Sequence, residues 1–220
     1  MLEVTLHNQK KYSHVIWDWN GTLFNDVSWC MKTINTMLGK RDLTLLNTIS
    51  DYHKVFCFPI IEYYKNVGFD FDKEPFEQLA KEFIKLYHTN NTGNSQLSNN
   101  AEFVLEKIKS KGIKQVILSA SEIDNLLSQF NEFDIACYFD EVLGLIDIYA
   151  KSKIDIGINY ITRSKIKNAI LVGDTEHDFE VANALNVECL LIANGHQSKC
   201  TLSKCGVPVL DDITQVLEYI

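Results

Sequence analysis

His14-Val15-Ile16-Trp17-Asp18-Trp19-Asn20-Gly21-Thr22-Leu23 is the stretch whose reading decides the fold. An apolar run that ends in an aspartate and then Gly-Thr reads as a buried strand delivering a carboxylate to the edge of a sheet. Gly21 lets the chain turn sharply, so that successive backbone N–H groups can form an anion-binding nest, to which Thr22 adds a hydroxyl. A carboxylate beside an anion nest makes chemical sense when a cation lies between them or when the carboxylate attacks the anion.

The remaining parts follow in chain order. Residues 115–118 are a second apolar strand, ending at Ser119-Ala120-Ser121. Lys151-Ser152-Lys153 precedes a helical pattern at residues 154–163, and residues 169–172 form a strand leading through Gly173 to Asp174-Thr175-Glu176-His177-Asp178. Helical stripes at 101–110, 122–130 (capped by Ser121) and 178–185 alternate with strands at 141–143, 189–192 and 207–210, and a helix at 212–218 closes the chain. Such alternation predicts an α/β fold, a doubly wound parallel sheet with helices on both faces, whose ligands bind at the carboxyl ends of the strands. Between the first strand and this region, apolar stripes mark helices from Val27 (with Asp26 as cap and Gly39 as stop), over 60–67 and from Pro75, and a polar segment follows at 89–100. The predicted division is therefore a core of residues 1–24 and 99–220 with an inserted helical domain at 25–98.

With these residues in place, the chain resembles the haloacid-dehalogenase-like hydrolase superfamily, in its phosphoglycolate-phosphatase-like group with a helical cap. That family carries a DxDGT loop, a Ser/Thr after a strand, a Lys and a GDxxxD loop in this order, and the match runs from about Tyr12 to Ile220. The resemblance implies a Mg²⁺-dependent phosphatase acting on a small phosphorylated metabolite through an aspartyl phosphate on Asp18. Trp19, Gly21, Thr22, Ser119 and Ala120 would bind the phosphoryl group. Lys153, which directly precedes the helix at 154, would balance the charge, with Lys151 as its alternative. Asp18, Asp174, Asp178 and the backbone carbonyl of Asn20 would hold the metal, Asp178 at the edge of the set. Hard carboxylate and carbonyl oxygens suit Mg²⁺, which keeps several waters and bridges to phosphate.

Asn20 departs from the pattern, because the family's phosphatases usually carry a second aspartate there. That residue protonates the leaving group and activates water. A carboxamide cannot carry a proton on and off, and such help is worth about a hundred- to ten-thousandfold. The site is therefore expected to be slow on ordinary esters, with Asn20→Asp raising the rate. Two alternatives follow: hydrolysis of a carbon–phosphorus bond through a cap lysine, for which Lys54 is nearest, and a phosphate-binding protein with attenuated turnover. A receiver domain also uses Asp, Ser/Thr and Lys but has no room for the insertion.

Individually these residues have plainer readings. A strand-terminal aspartate often caps a turn, a serine there is often a turn hydroxyl, and Asp178 fits the N-terminus of a helix. His177 and His196 read as hydrogen-bonding loop residues. Residues 53–59 (His-Lys-Val-Phe-Cys-Phe-Pro) read equally as cap core or as a substrate-facing loop.

Composition sets the bounds. The chain has 220 residues, a net charge of −8, 46% apolar and 23% charged residues. This is enough for one core plus a small insertion, and is ordinary for a globular protein. No basic block points to nucleic acid and no apolar run approaches a membrane span. The first fourteen residues lack the apolar stretch of a signal peptide, so a cytoplasmic monomer or homodimer with six reduced cysteines is expected, and the sequon Asn90-Asn91-Thr92 carries no weight.

Overall fold

The computed structural model describes residues 11–90, 95–149 and 152–220. Lys151, most of the sequon, part of the polar 89–100 segment and the first ten residues lie outside them.

The first strand, β1 (His14–Trp17), is fully buried over Val15, Ile16 and Trp17, because both of its faces are covered. It pairs in parallel with β2 (Lys114–Glu122) on one side and β4 (Ala169–Gly173) on the other. With β3 (Glu141–Leu145), β5 (Glu188–Ile192) and β6 (Val209–Leu210), the described residues form one six-stranded sheet in the order β3-β2-β1-β4-β5-β6. The doubly wound parallel sheet read from the sequence is thus the one observed. The strand order reverses between β1 and β4, and side chains carried past the ends of those two strands meet over the resulting crevice.

Two apolar clusters cover the sheet. One joins Val15, Trp17, Ile117 and Ile170 to helix α5 (Ala101–Ser110), helix α6 (Ile123–Phe130) and the C-terminal 3₁₀ turns. The other joins Ile16, Leu118 and Leu171 to helices α7 (Ile154–Arg163) and α8 (Glu176–Leu185). The helices between β1 and β2 are α1 (Val27–Gly39), α2 (Ile49–Val55), α3 (Ile60–Asn66) and α4 (Phe76–Asn90). They close on a third cluster of their own, containing Ile34, Met37, Leu38, Tyr52, Tyr64 and Leu79. The two chain segments joining this layer to the sheet run side by side. Asn25 N–H donates to the Gln96 carbonyl at 2.9 Å, Ser98 N–H to the Leu23 carbonyl at 2.8 Å, and Ser98 Oγ to the Thr22 carbonyl at 2.6 Å.

Three expected caps are placed differently. Helix α8 starts at Glu176, with Thr175 as its cap and Asp178 completing a reciprocal capping box one turn in. Glu122, rather than Ser121, caps α6 by accepting from Asn125 N–H. Asp26 precedes α1 but makes no capping bond. Ser121 and Asp26 are both drawn into the site described next.

Candidate active site

The carboxylates of Asp18, at the end of β1, and Asp174, at the end of β4, are buried together. Thr22 Oγ1 stands between them, 3.2 Å from Asp18 Oδ2 and 2.9 Å from Asp174 Oδ1. One hydroxyl proton cannot serve two carboxylates, so the pair is short of positive charge. Burial pushes Asp18 up to about 6 despite the neighbouring Lys153, and burial with the nearby Asp18 and Asp178 pushes Asp174 well above the usual range.

Lys153 is buried at the N-cap position of α7. Its ammonium donates to Asp18 Oδ1 and to the Leu118 carbonyl at 2.9 Å, and lies 2.7 Å from Asp178 Oδ1. Burial opposes its charge, but the two carboxylates win and raise it above its ordinary value. The other Asp178 oxygen accepts from Asp174 N–H at 3.1 Å, Thr175 N–H at 3.0 Å and Thr175 Oγ1 at 2.7 Å. Asp178 thus ties the start of α8 to the lysine.

The Asp18 loop is tighter than an open nest. The Trp19 carbonyl accepts from the N–H groups of Thr22, Leu23 and Phe24. Gly21 N–H donates to the Phe24 carbonyl at 2.8 Å and to Asp26 Oδ1 at 3.0 Å. The amides of Gly21 and Thr22, expected to face an anion, are therefore taken up inside the loop. Gly21 has φ +77°, and a Cβ there would overlap the Asp174 carboxylate. Trp19 splits in two: its backbone N–H supports the Asp18 carboxylate, while its indole is buried on Phe24 and donates to Gln129 Oε1 at 2.9 Å. Ser119 is buried at the end of the β2 core and accepts from Ser121 N–H at 3.0 Å, and Ala120 lines the cavity.

Asn20 is built into a second polar cluster. Its Nδ2 donates to Asp26 Oδ2 at 2.9 Å and its Oδ1 accepts from Ser121 Oγ at 2.7 Å. Asp26 also accepts from Tyr87 Oη at 2.8 Å and lies 3.2 Å from His196 Nε2. The other His196 nitrogen meets Tyr52 Oη at 2.8 Å, and its backbone N–H donates to Asp174 Oδ2 at 2.6 Å. Burial alone would lower the imidazole, but Asp26 raises it to about 9. Sequence reading missed Asp26, His196, Tyr52, Tyr87 and Ser121 as site residues. They share no motif and meet only in space, and Asp26 carried a helix-cap signal that accounted for it locally.

A pH expectation follows for the metal-free protein. His196 has a folded pKa above its unfolded value near 6.5, so its contribution is full below that pH and is lost as pH rises through about 9. Chemical unfolding should show stability falling between pH 6.5 and 9 by an amount of order 3 kcal/mol at most, and His196→Gln should flatten that fall. An unchanged slope in the variant would rule out the pair as its source.

Asp18, Asp174 and Asp178 each bring a carboxylate oxygen within 4.8 Å of the others. Lys153 supplies one positive charge to this group, and the raised Asp18 and Asp174 leave a deficit that a divalent cation fits. Both of those oxygen donors are hard, as Mg²⁺ prefers.

Over these groups lies a cavity of about 170 Å³ between the helical layer and the sheet edge. Phe56 and Phe58 line it, with Phe56 stacked on His196 at 4.8 Å and Phe58 on His177 at 4.7 Å between ring centres. The 53–59 segment therefore does face the site. His177 lies in the first turn of α8, and burial holds it below its usual value. Lys54 points away: its side chain is 71% exposed and pairs with Asp51.

A family model described as haloacid dehalogenase-like hydrolase matches residues 15–192, and the chain belongs to that family of hydrolases. No curated protein sequence matches the chain significantly. Solved structures share its fold at low identity. A predicted phosphatase from Clostridium acetobutylicum is 22% identical over 94% of this chain and 97% of its own, with a TM-score of 0.76. A predicted phosphoglycolate phosphatase from Haemophilus somnus is 17% identical over 96% and 99%, at 0.77. Protein tyrosine kinase A from Mycobacterium tuberculosis is also 17% identical, over 94% and 97%, at 0.79. Names this varied on one fold mean that activity has to be argued from the site. Among the described residues no helix is long and apolar enough to cross a membrane.

Proposed function

We propose that the protein is a Mg²⁺-dependent phosphatase that hydrolyses a small phosphate monoester through an aspartyl phosphate on Asp18. The observation that carries this reading is the Asp18 carboxylate at the crevice, held by Lys153 and sharing the Thr22 hydroxyl with Asp174. Lys153 fixes one Asp18 oxygen and leaves the carboxylate oriented toward the cavity to attack phosphorus. The P–O bond to the leaving group breaks as the Asp18 O–P bond forms, and the departing alkoxide takes a proton from solvent water, because the Asn20 carboxamide has none to give. Water then attacks the same phosphorus and gives up a proton to solvent, the Asp18 O–P bond breaks, and inorganic phosphate leaves with the carboxylate restored. Ser119 and the Ala120 backbone serve the phosphoryl oxygens, and Asp178 positions Lys153. Asp18, Asp174 and the Asn20 carbonyl would hold Mg²⁺, whose charge would offset that of the carboxylates and of the phosphoryl group. Residues 25–98 act as a helical cap on the core of 1–24 and 99–220, tied down in this arrangement by Tyr52–His196, Asn20–Asp26, His88–Asn125 and a bond of 3.0 Å between His53 and the Gly195 carbonyl.

The carbon–phosphorus alternative needs a cap lysine at the phosphoryl site, and Lys54 faces away from it. The attenuated-binder alternative rests on Asn20 and is decided by turnover.

The test is phosphate release from a panel of small esters with Mg²⁺. EDTA should abolish release, added Mg²⁺ should restore it, and Asp174→Ala should raise the Mg²⁺ requirement at least about tenfold. Full activity in excess chelator would contradict the proposal.

Asn20 gives a second expectation. Its amide is matched to Asp26, so Asn20→Asp sets a carboxylate against a buried carboxylate 2.9 Å away. The single variant should lose about 1–3 kcal/mol at pH 8. A rate gain on esters with poor leaving groups should emerge only when Asp26→Asn accompanies it. Urea melts and rates on the two variants measure this, and a fully stable single variant would show the amide pairing to be unimportant.

A further inference from the structure

The cavity says more about the substrate than its phosphate. Among the described residues lining it, Lys153 is the sole Lys or Arg, and its ammonium is already shared by Asp18, Asp178 and the Leu118 carbonyl. His196 is engaged by Asp26 and Tyr52, and His88 Nε2 by Asn125 Oδ1 at 2.7 Å, while His177, whose Nε2 has no protein partner, is held below its usual value by burial and so lines the cavity as a neutral ring. Five carboxylates, on Asp18, Asp26, Asp174, Asp178 and Glu122, line the same space. An anionic leaving group, such as the carboxylate of phosphoglycolate or the second phosphate of a bisphosphate, finds no uncommitted cation among the described residues there and meets like charge.

Away from the carboxylates, the walls are rings and branched alkyl groups. Phe56 and Phe58 come from the segment joining α2 to α3, Ile60 from α3, Phe83 and Ile84 from α4, and all five are only partly buried. Apolar surface left accessible beside a reaction centre is free energy available to a ligand that covers it, at about 25 cal/mol per Å². Tyr63 adds an independent sign. It lines the cavity, is 3% exposed, and its hydroxyl has no protein partner. A buried hydroxyl of this kind is costly unless something binds it, and a neutral ligand oxygen or nitrogen would do so without bringing charge.

We propose that the substrate is a phosphate monoester of an uncharged, ring-bearing alcohol, and that monoesters carrying a second anion are discriminated against. This assignment rests on the phosphatase reading above. The ring would lie against Phe56, Phe58 and Phe83, with the scissile phosphate at Asp18 and a neutral polar group on the ring within reach of Tyr63.

The test uses the wild-type protein with Mg²⁺ and compares benzyl phosphate, ethyl phosphate and 2-phosphoglycolate, with acetyl phosphate as an activated control. The first three release alkoxides of comparable basicity, so differences report the pocket. Expected is a kcat/KM for benzyl phosphate at least about tenfold above ethyl phosphate, with phosphoglycolate lowest. Phosphoglycolate equal to or above benzyl phosphate would overturn the substrate class while leaving the phosphatase reading intact. Hydrolysis of none of the four, the control included, would overturn the phosphatase reading instead. The pocket is then judged by calorimetry. Benzylphosphonate should bind at least about tenfold more tightly than phosphonoacetate, and equal or reversed affinities would overturn the proposal.

Discussion

Asp18→Asn should reduce phosphate release by about 10⁴-fold or more, since an amide cannot accept the phosphoryl group. The same change should leave the metal-free protein as stable as wild type or more so. Burial raises Asp18 to about 6, above its unfolded value near 3.8, so the ionised group loses stability as pH rises from about 4 to 6. Removing it should return up to about 3 kcal/mol above pH 6 and nothing below pH 4. Paired urea melts at pH 4 and pH 7.5 with phosphate-release assays separate the two effects. A folded variant that still turns over would remove Asp18 from the chemistry.

Lys153→Met should act in the opposite sense on stability. The lysine is fully enclosed, and without it Asp18 and Asp178 are left buried with no counter-charge. Breaking a buried pair from one side costs about 3–5 kcal/mol. Burial opposes ionisation of Asp178, yet Lys153 and the Thr175 bonds hold it below the usual carboxylate range. The deficit should therefore be largest near pH 8 and shrink as pH falls through about 6, where Asp18 titrates even beside the lysine, toward its unfolded value near 3.8. Activity should be lost at every pH. A Met variant as stable as wild type at pH 8 would contradict the three-membered ion cluster.

Much of this architecture is legible locally. The strands at 14–17, 115–118 and 169–172 are apolar runs ended by polar residues, and such runs are determined by burial on both faces of a sheet. Position at a strand end then brings Asp18, Ser119 and Asp174 to one edge whatever the rest of the chain does. Lys153 was ambiguous with Lys151 because two lysines a residue apart carry the same sequence signal, whereas enclosure between Asp18 and Asp178 is a property of the folded chain. The cluster of Asn20, Asp26, Ser121 and His196 was illegible for a related reason. Its members come from the β1 loop, the start of α1, the end of β2 and the loop after β5, and each has an adequate local role as turn, cap or loop polar group. The aromatic cavity wall had a readable segment at 53–59, but which rings face the site depends on how the helices lie over the sheet.

The most direct measurement is acid quench of the protein during turnover of labelled acetyl phosphate with Mg²⁺, followed by peptide mapping. The account predicts label on the peptide containing Asp18, labile to hydroxylamine as an acyl phosphate is, and absent from Asp18→Asn. Turnover with the label on another residue, or with no protein-bound label at any quench time, would contradict it.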